Sequence, residues 1–290
     1  MQTAFDLKKI EDIVHLAIKE DIGTGDITSS IFIPEGSESE GVLIAKEAGV
    51  VAGLPVAEYV LSQIDKDLIF KVNIEDGSRV EKGSVIASVK GSTLSLLSAE
   101  RLVLNFLQRL SGIATATNKF AEKVKGYKAQ ILDTRKTTPG WRYLEKYAVK
   151  IGGGANHRMG LYDQILIKDN HLEIMEPEKE NGNIISLVKK AREQVAKEVL
   201  IEVEVEDLCQ IKEMVDAGVD IILFDNMAPS KICEAVEIVK ELGNSRDAGT
   251  GRAILTEASG NIAIENVEEY AKAGVDRISV GMITHSARAL

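Results

Sequence analysis

The forty residues from Leu132 to His171 carry seven lysines and arginines against four aspartates and glutamates, in a chain of 290 residues with a formal net charge of −10. Two of the four histidines, His157 and His171, lie in the same segment. Arginine binds carboxylate or phosphate through a planar pair of hydrogen bonds, and lysine adds a compact positive charge. This local excess of cations predicts a site for a small ligand with several negative charges. Nucleic acid is not expected, because it is usually bound by a basic domain.

Several side chains of this segment are expected to contact such a ligand. The candidates are Arg135, Lys136, His157, Arg158 and Lys168. For any one of them an ordinary surface ion pair is the alternative, because such pairs are common and contribute little to stability. His157 also has the alternative of a purely structural role. The occurrence of all five in one segment favours a ligand site.

Two acidic residues outside the segment, Glu204 and Asp225, close consecutive predicted strands. Carboxylates beside a cationic pocket favour Mg²⁺ that enters with a phosphorylated substrate. The alternative is that both carboxylates neutralise the cationic cluster directly. Zinc is not expected, because His157 and His171 are fourteen residues apart and no cysteine lies near them.

Small residues end the last two predicted strands, at Ser259, Gly260 and Gly281. They allow backbone N–H groups to approach a phosphate, and phosphate sites are frequent at this place in α/β barrels. Taken alone this signal is weak, because glycine also ends strands for steric reasons. The chain has no G-x-x-x-x-G-K-[ST] loop and no G-x-G-x-x-G after a strand.

Strands and helices alternate after Gln130, which predicts parallel strands joined by right-handed crossovers. An open doubly wound sheet and an incomplete α/β barrel both fit this pattern. Polar groups follow several successive strands and favour the barrel, since an open sheet would gather them at one switch point. Alternation in the third strand puts Glu202 and Glu204 on one face, and both carboxylates are expected to point into the barrel. The predicted strands are Ile131–Asp133, Ile165–Lys168, Leu200–Val205, Ile221–Phe224, Ala253–Glu257 and Arg277–Val280.

The first part of the chain has a different pattern. Residues 7–20 and Leu54–Ile64 are expected to form helices, and a long helical pattern runs from Leu94 to Thr117. Short strand-like runs lie between residues 41 and 89. The fold class predicted is therefore α/β. An N-terminal α+β sandwich domain with the long connecting helix spans residues 1–113, and an incomplete barrel of about six strands over residues 114–290 carries the active site.

The composition indicates the setting in which the protein works. Apolar residues make up 44% of the chain and charged residues 28%, as in ordinary soluble domains. No apolar run is long enough to span a membrane, and charges interrupt the N-terminus where a signal peptide would be apolar. Cys209 and Cys233 lack metal-ligand spacing and are expected to be reduced packing thiols. A cytoplasmic protein without membrane or nucleic-acid partners is predicted.

Six segments together resemble the carboxylating, type II quinolinate phosphoribosyltransferase family. They are DTRKTTPGWR, KYAVKIGGGANHRMGLYDQILIKDNH, IEVEVE, ILFDN, EASGNI and VGMITHS. The likeness extends upstream through EDIGTGDITS and SAERLVLNFLQRLSGIATAT and covers almost the whole chain in order. The resemblance implies the two-domain fold described above. It also implies a homodimer in which the N-terminal domain of one subunit covers the barrel of the other, and it leaves a hexamer open.

The resemblance further implies which residues bind quinolinate. Arg135, His157, Arg158 and Lys168 would surround the pyridine dicarboxylate. Arg101, on the long helix, would reach it from the partner subunit. The pocket would then be a property of the dimer.

The resemblance assigns the second substrate, phosphoribosyl diphosphate, to other residues. Lys136 would lie between the two substrates, and Glu204 and Asp225 would hold the ribose hydroxyls and Mg²⁺. These three are the expected catalytic residues, since the carboxylates can stabilise positive charge that builds on the sugar. The 5′-phosphate would be bound by Ser259, Gly260 and Gly281.

The reaction implied joins quinolinate to phosphoribosyl diphosphate and yields nicotinate mononucleotide, pyrophosphate and CO₂, a step of NAD biosynthesis. One departure from the family pattern is visible, because the chain stops at THSARAL where family members usually run further. The usual contribution of the C-terminal tail to stability is therefore not expected in full.

Three other interpretations remain open at this level. Lys168 could form a Schiff base in an aldolase, although such a lysine usually lies in an apolar pocket or beside a single cation. A non-catalytic anion-binding module would not need Glu204 and Asp225. A paralogue of the same family, associated with molybdate transport, would use a different acceptor.

Overall fold

The fold is that of a computed structural model, which describes residues 5–171, 184–244 and 253–290. The chain forms two compact units, each built from separate stretches. The first comprises Met1–Asn118, Lys136–Gly154 and Met282–Leu290, and the second comprises Lys119–Arg135 and Ala155–Gly281. The domain boundary after residue 113 stays a prediction.

The regular elements of the described residues are numbered here in chain order. The strands are β1 (Glu38–Ile44), β2 (Gly49–Val50), β3 (Ile69–Val72), β4 (Arg79–Val80), β5 (Val85–Ser92), β6 (Gln130–Leu132), β7 (Ile165–Ile167), β8 (Ile201–Val205), β9 (Ile221–Asp225), β10 (Leu255–Ser259) and β11 (Arg277–Ser279). The α-helices are α1 (Glu11–Asp21), α2 (Ile27–Phe32), α3 (Leu54–Ile64), α4 (Thr93–Lys123), α5 (Arg142–Ile151), α6 (Ile184–Gln194), α7 (Ile211–Ala217), α8 (Pro229–Asn244), α9 (Val267–Lys272) and α10 (Met282–His285). Leu7–Lys9 and Leu208–Gln210 form 3₁₀ turns.

The first unit combines helices with small antiparallel sheets, as predicted for an α+β domain. Strands β1, β5 and β3 pair antiparallel in that order, and β2 pairs with β4. Helix α3 has the predicted bounds and buries residues spaced by four, such as Val56 and Val60, on one face. Helix α4 is longer than predicted. Its buried apolar residues recur every three or four positions: Ala99, Leu102, Val103, Phe106, Leu110, Ile113 and Ala114.

The C-terminal segment is part of the first unit and packs on α4. The N–H of Leu290 donates to the carbonyl of Gln108 at 3.0 Å. A Cβ on Gly112 would overlap the carbonyl of Arg288, so glycine permits this close approach. The guanidinium of Arg109 donates to the carbonyls of Thr284 and Ala287 at 2.7 and 3.0 Å. Residues 282–290 are therefore held on α4 by backbone hydrogen bonds and close packing.

The second unit contains a six-stranded parallel sheet in the order β6-β11-β10-β9-β8-β7. From β7 to β11 each strand pairs with the next strand of the chain, and the first strand, β6, pairs with the last. A doubly wound sheet would instead reverse direction at a switch point. Winding in one direction is the topology of a barrel that stays open between β6 and β7, and the predicted incomplete barrel is confirmed.

Strand register places the polar residues of the barrel on one face. Residue pairs aligned across neighbouring parallel strands point to the same side, and here Leu223 aligns with both Glu204 and Glu257. Glu257 in turn aligns with Arg277, and Ser259 aligns with Asp225. Glu202 and Glu204 are only 0% and 9% exposed, as expected for side chains that point into the barrel.

Two sequence-based predictions need correction here. The fifth barrel strand was expected at Ala253–Glu257 but β10 runs from Leu255 to Ser259, so Glu257 lies inside the strand. Cys209 and Cys233 are free, yet both are exposed and neither packs in the core as predicted. Across the described part of the chain, the helices are too short or too polar to cross a membrane.

Candidate active site

Lys168 and Glu204 form an ion pair between two predicted site residues of the second unit. Lys168 follows β7, Glu204 lies near the end of β8, and Lys168 Nζ lies 2.6 Å from Glu204 Oε2. Burial raises the pKa of Glu204 above its ordinary value, with Asp225 and Asp169 acting in the same direction and Lys168 against them. Glu204 and Asp225 are therefore close enough to interact electrostatically.

The ends of β9 and β10 meet in a tight arrangement of asparagines and glycine. Asn226 and Asn261 have positive φ angles of 51° and 50°, and Gly260 has φ 95°. The Asn226 amide donates to Asp225 Oδ2 at 2.7 Å, and Asn226 Oδ1 accepts from the amide of Asn261 at 3.0 Å. The N–H of Asn226 also donates to the carbonyl of Ser259 at 2.9 Å. These bonds fix the orientation of the Asp225 carboxylate.

The donor set at these two strand ends suits Mg²⁺. Oε2 of Glu204 is bonded to Lys168 and Oδ2 of Asp225 is bonded to Asn226, and each carboxylate has one further oxygen that can serve as a ligand atom. Mg²⁺ is usually held by one or two carboxylates together with water and substrate phosphates. The residues present fit that requirement.

His157 and Arg158 lie on the loop after Ala155 and are both anchored in the second unit. The N–H of His157 donates to Asp133 Oδ1 at 2.9 Å, and His157 Nδ1 accepts from the N–H of Arg158 at 2.7 Å. Arg158 donates to the carbonyl of Gln164 at 3.2 Å. Burial lowers the pKa of Arg158, and the nearby positive charge of Arg135 adds to this effect. Arg135 and Arg158 together create a region of strong positive charge, which favours an anionic ligand.

Behind His157 lies a buried acidic pair that the sequence-based prediction of site residues did not include. His157 Nε2 is 3.1 Å from Glu202 Oε2 and 3.5 Å from Glu257 Oε1. Both glutamates are 0% exposed. The possible ligand atoms of His157, Glu202 and Glu257 lie within 4.8 Å of one another. Among the described residues, these three side chains form the cluster whose composition could hold a metal ion.

Two predicted site residues belong to the first unit. Arg101 is exposed on α4. Lys136 is exposed in the loop that begins after Arg135, and its carbonyl accepts from Thr284 Oγ1 at 2.9 Å. In the same unit the buried carboxylate of Glu145 accepts from Arg109 at 2.7 Å and from Thr138 at 2.8 Å. The Lys136 loop is thus held by hydrogen bonds to both α10 and α5.

The remaining candidates, Ser259, Gly260 and Gly281, lie at the ends of β10 and β11, where small residues were predicted. The structure therefore brings together Lys168 with Glu204, Glu204 with Asp225, and Arg135 with Arg158. Sequence reasoning missed Glu257 because the strand boundary was placed two residues early. Asn226 and Asn261 could have been found, since asparagine directly after a strand is a frequent left-handed residue.

The chain is similar to known proteins over almost its whole length. The C-terminal domain model of quinolinate phosphoribosyl transferase matches residues 113–290, and the N-terminal domain model matches residues 26–111. A probable carboxylating nicotinate-nucleotide pyrophosphorylase of Bacillus subtilis is 43% identical, over 93% of this chain and 88% of its own. The Mycobacterium leprae enzyme of that name is 39% identical over 96% and 94%. A nicotinate-nucleotide pyrophosphorylase structure from Francisella tularensis superposes with a TM-score of 0.87 at 36% identity, over 99% and 95%.

Proposed function

Because the chain belongs to the quinolinate phosphoribosyltransferase family, we propose that it transfers the phosphoribosyl group of phosphoribosyl diphosphate to quinolinate with decarboxylation. The products are nicotinate mononucleotide, pyrophosphate and CO₂, which makes the reaction a step of NAD biosynthesis. Two observations support this most directly: Arg135 and Arg158 are close enough to interact, and so are the strand-end carboxylates Glu204 and Asp225 of the same unit. Such a site suits a dianionic acceptor next to a sugar that becomes positively charged.

In this mechanism the pyridine nitrogen of quinolinate attacks C1 of the ribose as pyrophosphate leaves. Arg135, Arg158 and Lys168 orient the two carboxylates, and positioning of this kind can supply much of the rate. Glu204 and Asp225 stabilise the positive charge that develops on the sugar. The same two carboxylates would hold Mg²⁺, which would supply positive charge to the diphosphate. Ser259, Gly260 and Gly281 bind the 5′-phosphate.

The proposal extends to the assembly and location of the enzyme. We propose a homodimer in which Arg101 of one subunit enters the quinolinate site of its partner, with Lys136 between the two substrates; a hexamer of such dimers is left open. A cytoplasmic location is proposed and is supported by the two free cysteines. Light scattering measures the size of the assembly. The activity of mixed dimers, built from Arg101→Ala and Glu204→Gln subunits, tests whether the site is shared between subunits.

The competing aldolase interpretation is disfavoured by the ion pair between Lys168 and Glu204 at 2.6 Å. A carboxylate at this distance favours the charged ammonium, whereas a Schiff base forms from the neutral amine. The paralogue with a different acceptor differs from the proposal only in substrate.

Two measurements test the proposed reaction. Pyrophosphate and CO₂ release are measured with quinolinate and then with nicotinate, and quinolinate binding is measured by calorimetry for the wild type and Arg135→Ala. We expect equal release of both products with quinolinate, poor turnover of nicotinate, and loss of tight quinolinate binding in the variant with its fold intact. Comparable turnover of nicotinate, or unchanged binding by Arg135→Ala, would contradict the assignment.

A further inference from the structure

Glu257 is a buried carboxyl group without the hydrogen bonds that an ionised carboxylate requires. It lies inside β10 and is 0% exposed, and neither of its oxygens has a hydrogen-bond partner within the described ranges. The guanidinium of Arg277, on β11, stays 3.9 Å from Glu257 Oε2. Buried charges in proteins are normally paired and hydrogen-bonded, so a bare carboxylate here would be costly.

The neighbouring Glu202, on β8, is in a different position. Its Oε2 atom accepts from the amide of Gln164 and lies 3.1 Å from His157 Nε2. Two donors converge on one oxygen of Glu202, while none of the described residues provides one to Glu257. Hydrogen-bond donors of the described residues are therefore directed at Glu202 and not at Glu257.

The tautomer of His157 follows from its backbone contact. The N–H of Arg158 points at His157 Nδ1 at 2.7 Å, and a backbone N–H can only donate. Nδ1 therefore carries no hydrogen, and the ring proton is on Nε2, where it faces Glu202. His157 is neutral and contributes a single proton to the space between two carboxyl groups.

The same contact argues against a metal ion in this cluster. A histidine that binds a metal through Nε2 keeps its proton on Nδ1 and donates it to an acceptor. At His157 that proton would collide with the N–H of Arg158.

We propose that Glu257 is a positioning residue held as a neutral carboxylic acid behind His157, and that its proton is retained more firmly when quinolinate binds. The inference rests on the proposed quinolinate site. The negative charge of Glu202 already acts on Arg158. A second negative charge, at Glu257, would compete with the substrate carboxylates for the positive charges of Arg135 and Arg158. Its protonation thus leaves Arg135 and Arg158 available to the ligand.

The electrostatic surroundings of Glu257 agree with this assignment. Burial is the main cause that raises the pKa of Glu257 to about 8; the nearby Glu202 adds to it, and Arg277 acts in the opposite direction. Glu202 lies on β8 and Arg277 on β11, while the ring of His157, from the 155–158 loop, is neutral in the tautomer described above. A bound dianion adds negative charge and raises this pKa further, so binding takes up protons when the pH is near 8.

Calorimetry in buffers of different ionisation enthalpy tests the coupling. Quinolinate binding is measured from pH 7 to 9 on the wild type, Glu257→Gln and Glu269→Gln, the last being an exposed glutamate of α9 that serves as control. We expect the wild type and the control to take up as much as about half a proton per subunit near pH 8, with an affinity that falls by up to about tenfold per pH unit above it. The Gln side chain in Glu257→Gln has the shape of a neutral carboxyl group but cannot ionise. Its affinity for quinolinate at pH 7 should therefore stay close to that of the wild type, while the proton uptake and the pH dependence of the affinity disappear.

Infrared difference spectra between pH 7 and pH 9.5 test the proton directly, even without substrate. The wild type should lose a protonated-carboxyl band that Glu257→Gln lacks. Absence of that band in the wild type, or equal proton uptake by both proteins, would overturn the proposal. So would stoichiometric binding of Zn²⁺ or Mn²⁺ that Glu257→Gln abolishes. If the band is present but quinolinate does not bind at all, the proposed function fails while the held proton stands.

Discussion

The backbone of Gly260 lies so close to Asn226 that a Cβ at position 260 would overlap Asn226 Oδ1. Asn226 in turn donates to Asp225 Oδ2 at 2.7 Å. The glycine at the end of β10 therefore allows Asn226 to hold the carboxylate of Asp225, which we propose as catalytic, in place. Position 260 therefore requires glycine for a steric reason that is independent of any hydrogen bond from its N–H to phosphate.

Gly260→Ala is expected to displace Asn226 and release Asp225. Its φ of 95° adds strain of roughly 1–2 kcal/mol for alanine. We expect a lower melting temperature and a higher KM for phosphoribosyl diphosphate, measured by thermal unfolding and steady-state kinetics. Gly243→Ala is the control, because it lies in α8 where an added Cβ would meet no neighbouring atom within 4 Å, and it should be neutral or stabilising. Equal kinetics in both variants would count against the steric role of Gly260.

Lys168→Met tests the ion pair at the barrel mouth. Removal of the ammonium loses one charge-assisted hydrogen bond to Glu204 and one cation for the dicarboxylate, so quinolinate affinity should fall by about tenfold or more. Calorimetric titration with quinolinate measures the change. The matched control is Lys212→Met, which breaks an exposed pair with Asp216 at 2.7 Å and should leave affinity unchanged. A similar loss in both variants would indicate a general effect of charge.

Thr284→Val tests the support of the Lys136 loop. The change keeps the shape of a buried side chain but removes the hydrogen bond to the carbonyl of Lys136 at 2.9 Å. We expect a stability loss of about 1 kcal/mol and a fall in kcat that exceeds any change in the KM for quinolinate. Urea unfolding and steady-state kinetics give the two quantities. Ser286→Ala removes an exposed hydroxyl of the same segment and should change neither, and an unchanged kcat in Thr284→Val would refute a supporting role.

Glu257→Gln is expected to stabilise the protein at neutral and alkaline pH. A raised pKa means that the folded state resists an ionisation that the unfolded chain undergoes freely. The penalty is absent below the ordinary pKa of 4.5, grows with pH, and is complete above about 8. The variant should therefore gain on the order of 1–3 kcal/mol at pH 8 and nothing at pH 4.5. Thermal unfolding at both pH values gives the difference, and a gain of equal size in exposed Glu269→Gln would contradict this cause.

Most of the barrel could be predicted from the sequence because its signals are local. Alternating strand and helix patterns placed five of the six barrel strands to within one residue at each end, and they put Glu202 and Glu204 on one face. The bounds of β10 were predicted two residues too early. A run of small residues precedes Leu255 and gives no local signal for the start of the strand, which is set by pairing with β9. That shift moved Glu257 from a strand end to the barrel interior.

The sequence by itself determined which chemical groups are available and roughly where along each strand they occur: the cations of residues 132–171, the carboxylates Glu204 and Asp225, and the small residues after β10 and β11. Tertiary structure alone decided which of these groups share a hydrogen bond or a charge. Cross-strand register aligned Glu257 with Arg277, and the fold of one loop aimed the N–H of Arg158 at His157. Contacts between residues far apart in the chain depend on register and burial, which local patterns do not encode, and these contacts set the protonation of the buried cluster.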